Sequence, residues 1–258
     1  MKRILNRRDF LQQTTAVIGG ALAALPPASS VAGERGVQAV AFDAFALLDP
    51  RPVFTLADEL FPGKGAELSN LWRTRQFEYT WLRTVAGQYA DFWRVTEDAL
   101  RFAARALKLD LDSPKRARLM NAYLELSTWP DVPSALRSLK AAGMRLAFLS
   151  NLPKRVLEAC TENSGLKDLF EHFLSTDVVK HFKPAPQAYQ MAVNAFGLKR
   201  EAILFAAFAG WDAAGAKWFG FPTVWVNRLN SPMEELSVLP DAACHDLSDL
   251  AAFVSLHR

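Results

Sequence analysis

The sequence predicts an α/β protein: a parallel sheet with helices on both faces and a helical insertion after the first strand. Three observations carry that expectation. From residue 129 onward, short apolar runs alternate with helical stretches of about 10–12 residues, the pattern of βαβ units whose strands lie parallel and buried on both faces. One comparable apolar run, Val37 to Phe42, stands alone far upstream. Between them, residues 51–128 carry helical periodicity and almost no strand signal. Residues 36–50 and 129–258 therefore form a Rossmann-like core, and residues 51–128 an inserted helical cap domain.

The amino terminus stands apart from this plan. Lys2, Arg3, Arg7 and Arg8 open it, followed by Asp9-Phe10-Leu11, a mildly apolar run from Thr15 to Leu25, and small residues through Ala32. Arg-Arg-x-Phe-Leu before a weakly hydrophobic segment resembles a twin-arginine export signal, although Asn6 and Gln12 depart from its usual residues. The apolar run is too short to span a bilayer. The expectation is a signal peptide over residues 1–32, recognised by the twin-arginine export machinery and giving a periplasmic protein.

The first strand of the core runs from Val37 into Asp43, a carboxylate at its C-terminal tip. In the cap, Leu68, Leu71 and Trp72 lead to Phe77 and Trp81 at helical spacing, and Phe92, Val95, Leu100 and Leu119 continue the pattern. Ser113-Pro114 reads as a helix entry, with Ser as cap and Pro in the first turn. The core resumes with a helix from Asp131 to Ala142, closed by Gly143. A strand from Met144 to Leu149 then runs into Ser150-Asn151. Helices are expected at 153–163, 186–196 and 212–219, and strands at 172–175, 202–206 and 223–226. The tail from Asn230 reads as polar and turn-rich, ending in a short helix.

Composition narrows the function. The chain has 258 residues, half of them hydrophobic, and a formal net charge of +3. Lys and Arg are scattered, with no basic stripe interleaved with aromatics, so nucleic acid is not an expected partner. Cys160 and Cys244 lack metal-ligand spacing; they are separate buried thiols or, in an oxidising compartment, a pair. The four histidines make no zinc pattern, and no cofactor is expected.

The chemistry gathers at strand ends. Asp43, Ser150-Asn151, Lys183 and Asp212 each follow an apolar strand, so a parallel sheet brings them to one rim. Lys183 beside Asp43 would keep that carboxylate ionised and oriented. Ser150-Asn151 ahead of a helix offers hydroxyl, amide and backbone N–H groups to an anion.

In this order the residues resemble the haloacid dehalogenase superfamily. Leu71 to Leu82, Phe92 to Thr96, Phe148 to Asn151, Phe182 to Tyr189, Gly210 to Ala216 and Phe219 to Arg228 resemble segments of its L-2-haloacid dehalogenases. The resemblance spans about residues 37 to 255. It implies a two-step hydrolysis of a small 2-halocarboxylic acid, with Asp43 as nucleophile, Asp212 assisting the water, and Lys183 supporting Asp43. Arg73 would receive the departing halide, and Ser150 and Asn151 would hold the substrate carboxylate. Phe77, Phe92, Tyr189 and Trp211 would complete the substrate site. Similar enzymes are commonly homodimers.

The superfamily also contains phosphatases, which need a second acid two positions after the nucleophile and paired acids in the last loop. Here those features are Phe45 and a single Asp212. The chain also departs from the dehalogenases: Phe45 and Leu47 replace a phenol and a hydroxyl, and Ala207 and Ala209 replace polar groups. Two readings stand at this stage, a dehalogenase with an unusually apolar site or a protein of that fold that binds small carboxylic acids with little turnover.

Overall fold

A computed structural model describes residues 36–256. The signal expected over residues 1–32 lies outside them. Strand β1 (Ala39–Phe42) is buried along its whole length. Its alternate residues serve two cores, Val40 and Phe42 on one face of the sheet and Ala39 and Ala41 on the other. That is the pattern of a central parallel strand covered on both sides. The single turn α1 (Ala44–Leu47) opens directly at Asp43, its N-cap.

The cap follows as α2 (Arg51–Leu60), α3 (Gly65–Ala86), α4 (Phe92–Ala106) and α5 (Ser113–Asn121). Leu68 and Trp72 of the expected stripe are fully buried. Trp81, at its end, leaves the cap interior and packs edge-on against Trp211 at 5.6 Å. Buried hydrogen bonds lock α3 to α4: Trp72 Nε1 donates to the Thr96 carbonyl at 2.8 Å, and Gln76 Nε2 to Thr96 Oγ1 at 2.6 Å. The cap of α5 is Asp112, which accepts from the Lys115 N–H at 2.8 Å, and not the expected Ser113. A carboxylate on the preceding residue wins that place because it also favours the positive end of the helix dipole. The two chain crossings between core and cap are joined, with Leu48 bridged to Thr128 and the Asp49 N–H donating to the Ser127 carbonyl at 2.9 Å.

The core continues through α6 (Val132–Ala141), β2 (Arg145–Ser150), α7 (Lys154–Asn163), β3 (His172–Ser175) and α8 (Pro186–Phe196). It ends with β4 (Ile203–Ala207), α9 (Gly210–Phe219), β5 (Thr223–Val226), β6 (Ala242–Cys244) and α10 (Leu247–Leu256). The strands pair in the order β3-β2-β1-β4-β5-β6, all parallel. The winding reverses between β1 and β4, and ligands of such sheets bind in the crevice outside the carboxyl ends at that point. Asp43 sits there, its N–H donating to the Ala206 carbonyl at 2.9 Å.

Two further features differ from the sequence expectation. The tail contains β6, which pairs with β5 as an edge strand. Its Ala-Ala-Cys sequence is too short and too poor in β-branched residues to signal a strand. Helix α9 begins at Gly210, so Asp212 lies within the first helical turn and not at a strand tip. Cys160 and Cys244 are separate free thiols. Cys160 is on α7, packed against β3 at one sheet edge, and Cys244 is on β6 at the other. Burial pushes them up to about 11 and about 12, which leaves both protonated at neutral pH.

Candidate active site

The site is built from β1 outward. Because Asp43 caps α1, its Oδ1 accepts the Phe45 N–H at 2.9 Å. Its Oδ2 accepts from Lys183 Nζ at 2.7 Å. One carboxylate oxygen is thus fixed by backbone and the other by an ammonium, which sets the direction of the whole group. The Lys183 side chain is 1% exposed and reaches Asp212 Oδ2 at 2.5 Å as well. Burial alone would lower its pKa, but Asp212 and then Asp43 more than reverse this and raise it, so it remains an ammonium.

Lys183 is placed through its backbone. Its N–H donates to Asn151 Oδ1 at 3.0 Å, and Thr176 Oγ1 donates to the same oxygen at 3.3 Å. Asn151, just past β2, therefore ties down the lysine loop with its carbonyl oxygen and has its amide nitrogen left to offer a ligand. Ser150 Oγ accepts from the Leu152 N–H at 3.1 Å, which leaves its hydroxyl hydrogen to donate.

Asp212 is 1% exposed. Burial pushes its carboxyl up to about 6, with Lys183 pulling it back and Asp43 pushing it further up. Tyr189 Oη donates to Asp212 Oδ1 at 2.7 Å. Burial, and then Asp212 itself, raises the tyrosine well above its ordinary value, so it acts as a donor throughout. The approach requires Gly215 on α9. A Cβ there would stand 2.5 Å from Pro184 Cβ and 2.5 Å from Tyr189 Oη.

These groups open onto a cavity of about 470 Å³ between core and cap. Asp43, Ser150, Asn151, Lys183 and Asp212 line it from the core, and Arg73, Phe77 and Phe92 from the cap. Trp211 adds to the wall, its ring 5.2 Å from that of Phe77. Tyr189, expected to touch the substrate, is instead fully buried behind Asp212 and off the cavity wall. Its hydroxyl is engaged by Asp212, so in this structure it orients that carboxylate. Phe54, Gln76, Tyr123 and Phe208 also face the cavity and were not singled out from the sequence. Phe54 contacts Arg73, whose guanidinium lies 5.3 Å from its ring centre, but a lone Phe at helical spacing gives no signal of that contact.

The departures at Leu47, Ala207 and Ala209 divide. Leu47 and Ala207 are buried in the cores and lie off the cavity wall, whereas Ala209 lines it. Phe45 faces the cavity too, its ring 5.9 Å from Phe208. Among the described residues no three His, Cys, Asp or Glu side chains converge. Asp43 and Asp212 are bridged by an ammonium, and the cavity wall beside them carries the apolar ring of Phe45. A hard divalent cation wants six or more oxygens, and this donor set does not fit it.

A carboxylate lining a cap-covered cavity at the switch point of a parallel sheet, with an ammonium and a second buried carboxylate beside it, is the arrangement of a Rossmann-like enzyme with an inserted cap. Residues 31–220 match the haloacid dehalogenase-like hydrolases, and the chain belongs to that family. It is 45% identical over 221 residues to an (S)-2-haloacid dehalogenase of Pseudomonas sp. (strain YL), covering 85% of this chain and 94% of the relative. The fold superposes on a crystal structure of an L-2-haloacid dehalogenase with a TM-score of 0.84 and 46% identity, covering 86% of this chain and all of the other. The L-2-haloacid dehalogenase of Xanthobacter autotrophicus is similar as well, with a TM-score of 0.79, 33% identity, and coverage of 85% and 98%.

Proposed function

We propose that the protein is an (S)-2-haloacid dehalogenase that converts a 2-haloalkanoate and water into a 2-hydroxy acid, halide and a proton. The observation that carries this reading is the Asp43–Lys183–Asp212 array, with Lys183 Nζ 2.7 Å from one carboxylate and 2.5 Å from the other, lining the same cavity as Arg73. An oxygen of Asp43 attacks carbon 2 of the substrate, the carbon–halogen bond breaks, and the halide departs with the bonding pair. Attack from the face opposite the leaving group inverts the stereocentre. Arg73 receives the halide, since a guanidinium is a fixed, permanently charged donor fork. Ser150 and Asn151 orient the substrate carboxylate.

Water then adds to the carboxyl carbon of the Asp43 ester. Asp212 takes one of its protons and returns it to the alkoxide oxygen as the acyl–oxygen bond breaks, so the hydroxy acid leaves neutral at that oxygen. The second water proton is released to solvent as Asp43 returns to a carboxylate. The raised pKa of Asp212 makes it a stronger base than an ordinary aspartate, and it is still ionised at neutral pH. A protein that merely bound carboxylic acids would not need a buried base paired with a nucleophile. Halide release from 2-chloropropionate enantiomers without added metal tests the reading; no release from either enantiomer, or from bromo analogues, contradicts it.

We further propose export of this enzyme to the periplasm by the twin-arginine route. The basic opening of the chain supports this, as does a family match that begins only at residue 31. Fractionating cells that produce the full chain or its Arg7→Lys, Arg8→Lys variant tests it, and retention of both forms in the cytoplasm contradicts it.

A further inference from the structure

The nucleophile's direction depends on α1, because the Phe45 N–H that fixes Asp43 Oδ1 belongs to that single turn. One turn cannot hold itself, since its last carbonyls have no partner within the helix. In this chain those carbonyls are held from outside. Trp129 Nε1 donates to the Phe45 carbonyl at 3.0 Å, and the Trp129 N–H to the Leu47 carbonyl at 3.0 Å. Arg228 Nε donates to the Ala46 carbonyl between them at 2.9 Å.

Arg228 is itself fixed. Its two terminal nitrogens fork onto Asp131 at 2.8 and 2.9 Å, and its guanidinium lies 4.9 Å from the Trp129 ring centre. Asp131 Oδ2 also accepts the Leu247 N–H at 2.9 Å. A guanidinium with this many directed bonds, 4% exposed, has one orientation available to it.

We propose that Arg228 and Trp129 are positioning residues for the nucleophile. They clamp the carbonyls of Phe45, Ala46 and Leu47 and so aim Asp43, at the place in the chain where a hydroxyl-bearing residue is replaced by Leu47. This rests on the hydrolytic reading of Asp43 given above. The two residues touch no part of the cavity, and they act on the reaction only through α1.

The test uses the full chain with 2-chloropropionate in single turnover, following by mass spectrometry the ester formed on the peptide containing Asp43. Trp129→Phe keeps a ring in place and removes one N–H; Arg228→Lys keeps the charge and removes the fork. Arg51→Ala is the control, because Arg51 lies 4.5 Å from the Trp129 ring centre yet bonds no α1 carbonyl. Misaimed attack costs rate steeply, so each clamp variant is expected to form the ester about 10-fold or more slowly, with KM within about twofold of the parent. Arg51→Ala is expected to match the parent. Ester formation at the parental rate in both clamp variants overturns the proposal. So does a loss that Arg51→Ala shares in proportion to lowered melting temperature, or failure of both clamp variants to fold. Absence of any ester in the parent chain overturns the hydrolytic reading instead.

Discussion

The Tyr189 hydroxyl donates to Asp212 Oδ1 at 2.7 Å from the side away from the cavity, while Lys183 holds the other oxygen at 2.5 Å. Asp212 is therefore a carboxylate that is buried, fully oriented and balanced between two donors, the arrangement the proposed base requires. Removing the tyrosine hydroxyl takes away a bond that favours the ionised form. Tyr189→Phe is expected to move the acid limb of the kcat profile upward by about one pH unit, the scale of one hydrogen bond to a charged group. Activity should be lost most at pH 6–7 and recover at pH 9. A uniform loss at all pH values would contradict this role.

The parent profile follows from the same groups. Asp212 sits at about 6, so kcat is expected to rise with pH through that value as the carboxylate becomes free to accept a proton. Lys183 is raised above its ordinary 10.5 and Tyr189 well above 10.0, so neither introduces an alkaline limb below about pH 10. For stability the sign is opposite to the usual carboxylate case. A folded pKa above the unfolded one means that Asp212's contribution is fully present below about 4 and is lost as pH rises through about 6. A pH–rate profile with an alkaline fall near pH 8 would contradict the assignment.

Gly215 offers a steric route to the same bond. Its substitution by Ala places a methyl 2.5 Å from both Pro184 Cβ and Tyr189 Oη, so either α9 or the facing Pro184 and Tyr189 must shift. Overpacking of this kind costs about 1–3 kcal/mol. Gly215→Ala is expected to lose that much stability in urea and to shift the acid limb in the same direction as Tyr189→Phe. An unshifted limb would mean that Asp212 does not rely on Tyr189.

Arg73 faces the cavity from the cap. If it receives halide, its replacement should hurt most where the leaving group is poorest and its charge most concentrated. Arg73→Lys is expected to lower kcat by about 100-fold on 2-chloropropionate and clearly less on the iodo analogue. Equal losses on both would assign Arg73 to substrate binding alone.

Much of this arrangement was legible in the sequence, for physical reasons. A central parallel strand is apolar on both faces and ends abruptly, so Val40, Phe42 and Asp43 announce β1 and its tip. Helical periodicity separated the cap at Leu68 and Trp72. The edge strand β6 was not legible because Ala242-Ala243-Cys244 has neither length nor β-branching. Tyr189 was recognised as near the site, but its side of Asp212 depends on how closely α9 approaches α8 at Gly215, which no local pattern encodes. The clamp was invisible for a similar reason. Asp131 and Arg228 are ordinary charges until folding brings them within 2.8 Å across 97 residues of chain.

The path of oxygen reports on Asp43. One turnover with excess enzyme in water labelled with heavy oxygen should place the label in the carboxylate of Asp43 and leave the 2-hydroxy acid unlabelled, because the product's new oxygen comes from the nucleophile. Label in the hydroxy acid after that single turnover, with none in Asp43, would mean that water attacks the substrate directly and would contradict the role assigned to Asp43.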